Sequence, residues 1–239
     1  MSVLTLVRHG QARAFQKESD LLTEAGEEQA RRLASFWIEN GIRFDEVYTG
    51  ALVRQHATEQ LVARSFAEAQ IEWPAALMLP EFDEYDATGV LGRLVPALAS
   101  SDPKYADLVR AFEAVRESPG ERNRAFQKMF EVAMRVWLSG ELNPDGVEPF
   151  TNFRDRVRRG LTNVMAAGGN RRVVVFTSGG PIGIAVQTAM HSPDRMFLEV
   201  NWRVRNCSVT EFLFSGDRFS LDSFNALPHL PDASLWTYR

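Results

Sequence analysis

Cysteine is almost absent from this 239-residue chain: Cys207 stands alone, which excludes an intramolecular disulfide framework and a cysteine-rich metal site. Histidine is scarce as well. His9, His56, His191 and His229 show neither HExxH nor HxxxH spacing, so a zinc enzyme is not expected. Positive charge is not in surplus, because 27 Lys and Arg face 31 Asp and Glu for a net charge of −4. That balance argues against a broad surface for nucleic acid or anionic lipid, yet allows a local anion pocket. The apolar run in the opening MSVLTLVRHG is too short for a signal peptide, and no later stretch approaches a membrane span. The default expectation is a soluble, cytoplasmic protein. Internal repeats, low-complexity tracts and a G-x-x-x-x-G-K-[ST] phosphate loop are missing too. A nucleophile elbow G-x-S-x-G fits poorly, because Phe176 occupies the first glycine position before Ser178.

What is present is 45% hydrophobic and 24% charged, enough at this length for a full core in one large domain or two small ones. Val3 to Val7 is an apolar, β-prone run without polar alternation, the pattern of a strand buried on both faces. It leads directly into Arg8-His9-Gly10. Thr23 opens a helical pattern with Glu24, Glu27 and Glu28 early and Ala30, Leu33, Ala34, Trp37 and Ile38 on one face. Phe44 to Thr49 reads as a second, weaker strand, and Ala51 to Ala69 as a helix carrying Arg54. From Asp86 to about Gly140, mixed periods broken at Asp102-Pro103 and Ser118-Pro119-Gly120 predict two or three inserted helices.

Phe150 to Ala167 continues as a helix, followed by Gly168-Gly169-Asn170 and a buried strand at Arg172 to Phe176. Helical spacing resumes at Ile182. Ser208 to Phe214 and Arg218 to Phe224 pair as an antiparallel hairpin across Ser215-Gly216-Asp217. The alternation of strands and helices predicts a single α/β domain over residues 1–239 with a mainly parallel sheet in a three-layer αβα arrangement. A helical insertion at about 86–145 is expected to cover the site and select the substrate.

In open parallel sheets ligands bind beyond the carboxyl ends of the strands. Two strands here end in unusual residues, Arg8-His9-Gly10 and Thr177-Ser178-Gly179-Gly180. A guanidinium fork matches phosphate oxygens, and a neutral imidazole beside it can attack phosphorus. The same dipeptide also occurs as ordinary structure.

Leu6-Val7-Arg8-His9-Gly10-Gln11-Ala12, Leu22-Thr23-Glu24-Ala25-Gly26 with Gln29-Ala30, and Tyr48-Thr49-Gly50-Ala51-Leu52-Val53-Arg54 with Thr58 together carry a likeness. In order and spacing they resemble the histidine phosphatase superfamily, which includes cofactor-dependent phosphoglycerate mutases. A looser likeness continues through Leu79-Pro80-Glu81, Phe153 to Val157, Val173 to Ile182 and Asn206 to Val209. The resemblance implies that His9 is the nucleophile and forms a transient phosphohistidine, with Arg8 and Arg54 on the phosphoryl oxygens. It implies Glu81 as the acid that protonates the leaving oxygen; Glu84, three residues on, is the alternative.

Members of that superfamily usually carry a second histidine before two glycines at the end of the late strand. Ser178 stands there instead. A serine donates a hydrogen bond without supplying positive charge, and it is also a favoured helix cap. Pro181 suits the first helical position, so the amides near Gly179 and Gly180 are expected to face the pocket as an anion site. Gln11 and Asn206 are the remaining substrate-binding candidates, each with a purely structural alternative. Cys207 reads as a small core residue, and Arg122, Arg124 and Lys128 as solvated helix positions or contacts for an acidic substrate.

The resemblance therefore implies a phosphomonoesterase acting on a small phosphorylated compound or a phosphoprotein. The alternatives are a catalytically weak phosphate-binding protein of the same fold and, third, a phosphoglycerate mutase. No metal or organic cofactor is expected, since an imidazole would carry the phosphoryl group and arginines would neutralise it. The sequence is silent on oligomeric state.

Overall fold

The computed structural model describes residues 1–13, 20–166 and 169–238; Ala167 and Gly168, where the helix from Phe150 was expected to end, lie outside them. The chain divides into two compact units, Met1–Glu84 with Arg156–Arg239, and Tyr85–Asp155. The first unit opens with β1 (Ser2–Arg8), α1 (Glu24–Glu39), β2 (Glu46–Thr49), α2 (Val53–Glu68) and β3 (Leu77–Met78), then a tight 3-10 turn at Pro80–Phe82. The second unit begins with one helical turn, α3 (Ala87–Gly89), which runs through a wider π-helical turn (Val90–Leu94) into α4 (Val95–Ser101). It continues with α5 (Pro103–Ala114), α6 (Pro119–Ser139) and the start of α7 (Phe150–Ala166). The chain then supplies β4 (Arg172–Thr177), α8 (Gly179–Ala189), α9 (Met196–Asn201), β5 (Val209–Ser215) and β6 (Arg218–Ala226) to the first unit.

The strands form one six-stranded sheet in the order β3-β2-β4-β1-β5-β6. Strands β1 to β4 run parallel, whereas β5 and β6 add antiparallel at one edge. Val7, Val47, Val174, Phe176 and Val209 join Leu33, Ala34, Trp37, Val62 and Phe66 of α1 and α2 in one core. Leu4, Leu6, Val173 and Val175, of opposite parity along their strands, are equally buried on the other face. Two buried faces explain why neither central strand alternates with polar residues. With α1 and α2 on one face and α8 against β1 and β6, the unit is a three-layer α/β fold. Trp37 anchors the first face, 4.8 Å from Phe44 and 6.2 Å from Trp73 between ring centroids; truncation to alanine there costs about 3–5 kcal/mol.

Helix α1 starts where its sequence specifies. The Thr23 hydroxyl accepts from Gly26 N at 3.1 Å, Glu24 and Glu27 sit in the positive first turn, and Arg31 and Arg32 pair back to Glu27 and Glu28. In the second unit, Asp102 caps α5 through Lys104 N at 2.9 Å. Trp137 packs there against Phe150 and Tyr85, each 5.2 Å away, and donates its indole N–H to Glu148 O at 2.7 Å. Among the described residues, no helix is long and apolar enough to cross a membrane.

Some elements depart from expectation. Helix α8 begins at Gly179, three residues before Ile182, because two glycines give no helical signal of their own. Strand β3 is two exposed residues at the sheet edge, too short to show a period. The short helix α9 also lacked a pattern.

Candidate active site

The parallel register brings the chemistry to one edge. Arg8 pairs with Thr177 and Thr49 with Phe176. His9 N donates to Thr177 O at 2.8 Å and Gly50 N to Phe176 O at 3.1 Å. His9, Gly50 and Ser178 therefore leave three neighbouring strands side by side, at their carboxyl ends. The loop after β1 packs on the first turn of α1 so closely that a side chain at Gly10 would sit 2.4 Å from Gly26 O, and one at Gly26 would sit 2.1 Å from Gln11 O. Only glycine fits at both places.

His9 is 5% exposed. Its Nδ1 lies 2.7 Å from Gly10 O; a carbonyl only accepts, so Nδ1 carries the proton and Nε2 keeps its lone pair. That lone pair receives Arg54 Nε–H at 3.1 Å. Burial, then the charges of Arg54 and Arg8, hold the His9 ring well below the usual histidine range, with Gly10 O pulling the other way. The imidazole is thus neutral, buried and in one tautomer. Its neighbour Gly10 is fixed by Thr58, whose hydroxyl accepts Gly10 N–H at 3.0 Å and donates to Arg54 O at 2.7 Å.

Arg54 is oriented from its far side. Its Nη1 pairs with Asp20 Oδ1, while Asp20 Oδ2 accepts from Val53 N at 2.7 Å. Arg8 donates through Nη1 to Val204 O. A side chain at Gly179 would lie 3.8 Å from Arg8 Nε and 2.7 Å from Asn201 Oδ1, so this glycine lets α8 lie close to Asn201 of α9 beside the arginine.

The residue that follows β4 at this edge is the neutral Ser178. Ser178 is fully buried at the start of α8 without capping it; its Oγ accepts from Gln55 Nε2 at 2.8 Å. The same Gln55 nitrogen donates to Phe82 O at 3.0 Å, as does Thr177 Oγ1 at 2.7 Å. One of the two α8 amides expected to meet an oxyanion is already engaged: Gly180 N donates to the Glu84 carboxylate at 3.0 Å. Glu81 differs from Glu84. Its Cβ lies 2.8 Å from where a side chain at Gly160 would begin, so Gly160 lets the Pro80–Phe82 turn approach α7. Arg156 gathers that turn, donating to Pro80 O, Glu81 O and Asp83 O at 3.0–3.1 Å. Asp83 accepts from Ala51 N at 2.6 Å; burial pushes its carboxyl up against the pull of that amide and of Arg156.

The two remaining candidates lie beneath the loop. Gln11 accepts the Thr23 hydroxyl on Oε1 at 3.0 Å, and its amide donates to Gln29 Oε1 at 2.9 Å. Asn206 is 1% exposed and donates to His9 O at 3.3 Å. Asp20, Gln55 and Arg156 were not anticipated. For Gln55 a signal existed, namely a polar residue on the buried face of an amphipathic helix.

The chain is similar to known proteins in sequence and in fold. The family model of the histidine phosphatase superfamily (branch 1) matches residues 4–140 and 125–227. A 2,3-bisphosphoglycerate-dependent phosphoglycerate mutase of Parvibaculum lavamentivorans is 34% identical over 95 residues, which span 37% of this chain and 45% of that relative. The fold is similar to a phosphoserine phosphatase of Entamoeba histolytica solved with phosphoserine (TM-score 0.59, 20% identity, covering 96% of this chain and 100% of that one). It is also similar to a phosphoglycerate mutase of Bacillus anthracis (TM-score 0.61, 17% identity, covering 95% and 94%).

Proposed function

Because the chain belongs to the histidine phosphatase superfamily, we propose that it is a phosphomonoesterase working through phospho-His9. The observation that carries this is the His9 ring: Nδ1 committed to Gly10 O, and Nε2 turned to Arg54. In the free protein Arg54 Nε–H occupies the lone pair. An incoming phosphoryl group draws Arg54 onto its oxygens and leaves Nε2 facing phosphorus. Arg8 and Arg54 offset the charge that spreads over the equatorial oxygens.

The Nε2–P bond forms as the ester P–O bond breaks. The leaving oxygen takes a proton from the Glu81 carboxylic acid and departs as the alcohol. Water then attacks phosphorus, the N–P bond breaks, and the water's proton returns to Glu81 as inorganic phosphate leaves. Glu81 suits this role better than Glu84, whose carboxylate already accepts from Gly180 N. Ser178 keeps its hydroxyl hydrogen for a phosphoryl oxygen while Oγ accepts from Gln55. The substrate is a phosphate monoester, either a small metabolite or a phosphoprotein.

Hydrolysis of an aryl phosphate by wild type, His9→Ala, Glu81→Gln and Glu84→Gln tests this. Turnover is expected in the wild type and lost in His9→Ala. The Glu81→Gln variant is expected to fail on esters with poor leaving groups more than on activated ones, and Glu84→Gln is not. Equal turnover by His9→Ala sinks the nucleophile. A wild type without turnover, yet stabilised thermally by vanadate, identifies a phosphate-binding protein instead.

A further inference from the structure

The segment after β6 reaches the loop that carries His9. Thr237 Oγ1 donates to Asn206 Oδ1 at 3.0 Å, and Asn206 N donates to Thr237 O at 2.8 Å. The other end of the Asn206 amide donates to His9 O at 3.3 Å, which also accepts from Cys207 N at 3.1 Å. On the far side, Gln29 Nε2 donates to Thr237 Oγ1 at 3.0 Å and to Leu235 O at 2.8 Å, while Gln29 Oε1 accepts Gln11 N–H at 2.9 Å. One hydroxyl therefore accepts from one amide and donates to another. Those two amides hold the peptide groups on either side of Gly10.

Both amides are buried, Gln29 completely and Asn206 at 1% exposure. Without the Thr237 hydroxyl, Asn206 Oδ1 loses that donor and Gln29 Nε2 keeps Leu235 O alone; a buried amide that loses a partner has no water to turn to, so it reorients or distorts what it holds. Here the group between the clamps is the Gly10 carbonyl, the acceptor that fixes the proton of His9 on Nδ1. We propose that Thr237 is a positioning residue: through Asn206 and Gln29 it holds the His9–Gly10–Gln11 backbone so that the ring presents Nε2 as a lone pair. The role rests on His9 being the nucleophile, but the tautomer it fixes is observable without turnover.

The experiment compares wild type with Thr237→Val, which has the same shape without the hydroxyl, with Thr237→Ser, and with Gln29→Met as the second arm. Two quantities are read: kcat and KM for an aryl phosphate, and the nitrogen-15 shifts of the His9 ring at mildly alkaline pH. Thr237→Val and Gln29→Met are expected to lower kcat about tenfold with KM changed by less than about twofold, the scale of one buried hydrogen bond lost. Both should show a fraction of the ring protonated on Nε2. Thr237→Ser should restore rate and tautomer together. A Thr237→Val protein with wild-type kcat and a single Nδ1–H tautomer overturns the proposal. So does a valine variant that unfolds, or a loss that serine does not repair, since either would mark Thr237 as a stability residue only. If even the wild type lacks turnover, the proposed activity falls while the ring spectrum still decides the clamp.

Discussion

On the β1 side of the site, His9 Nδ1 is held by Gly10 O, Nε2 receives Arg54 Nε–H, and the charges of Arg54 and Arg8 act on the ring. On the β4 side, Ser178 meets a carboxamide and Gly180 meets a carboxylate. The two sides share a sheet edge and differ in what they offer an anion. The first presents positive charge and a neutral imidazole held in one orientation. The second presents a neutral hydroxyl and a carboxylate that accepts a backbone amide. A phosphoryl group bound between them would be neutralised almost entirely from one side. Turnover should therefore depend steeply on the arginines and more gently on the serine.

The sharpest way to break the β1 side is through Arg54. Arg54→Ala should lower kcat/KM for an aryl phosphate by about a thousandfold. Arg54→Lys should recover little, because a point charge cannot replace a fork that reaches both the phosphoryl oxygens and Asp20. Steady-state rates measure both.

Acid attacks the same side through its buried histidines. Burial lowers His229 to about 4, against the pull of the Cys207 backbone. The folded ring thus stays neutral while the unfolded one takes a proton below about 6.5, so stability falls as pH drops from there toward 4. His9, also depressed, acts in the same direction. His229→Phe should remove about 3 kcal/mol of that acid loss, read as a smaller difference in urea midpoint between neutral pH and pH near 4. For turnover the sign is opposite to that of a group needed protonated: kcat/KM should hold as pH passes below the ordinary histidine value, because neutral His9 persists there.

The β4 side should yield more mildly. Ser178→Ala is expected to cost about thirtyfold in kcat, less than a charged donor would. Glu84→Gln should tighten vanadate binding about fivefold by removing a like charge from the Gly180 amide, measured by thermal shift. A larger effect at Ser178 than at Arg54 would invert the comparison.

The β1 side was largely legible in the sequence. Arg8-His9-Gly10 follows an unbroken apolar strand, Gly10 and Gly26 have no alternative where the loop crosses α1, and Thr23 announces the helix. The β4 side was legible only as residue types. That Ser178 leaves α8 uncapped and engages Gln55, or that Glu84 reaches Gly180 N, depends on which side chains a fold places opposite each other across 123 and 96 residues of chain. Arg156 was hidden for the same reason: its partners are backbone carbonyls, which leave no trace in sequence. Thr237 sits beyond the last strand in a stretch without periodicity, so nothing local distinguishes it from an ordinary tail residue.

The most direct measurement is to quench the protein during turnover of a phosphorus-32-labelled ester and map the label. The expected product is an alkali-stable, acid-labile phosphopeptide containing His9, absent from His9→Ala. Label found on a serine, or no labelled protein while the wild type turns over, would contradict phosphoryl transfer to that imidazole.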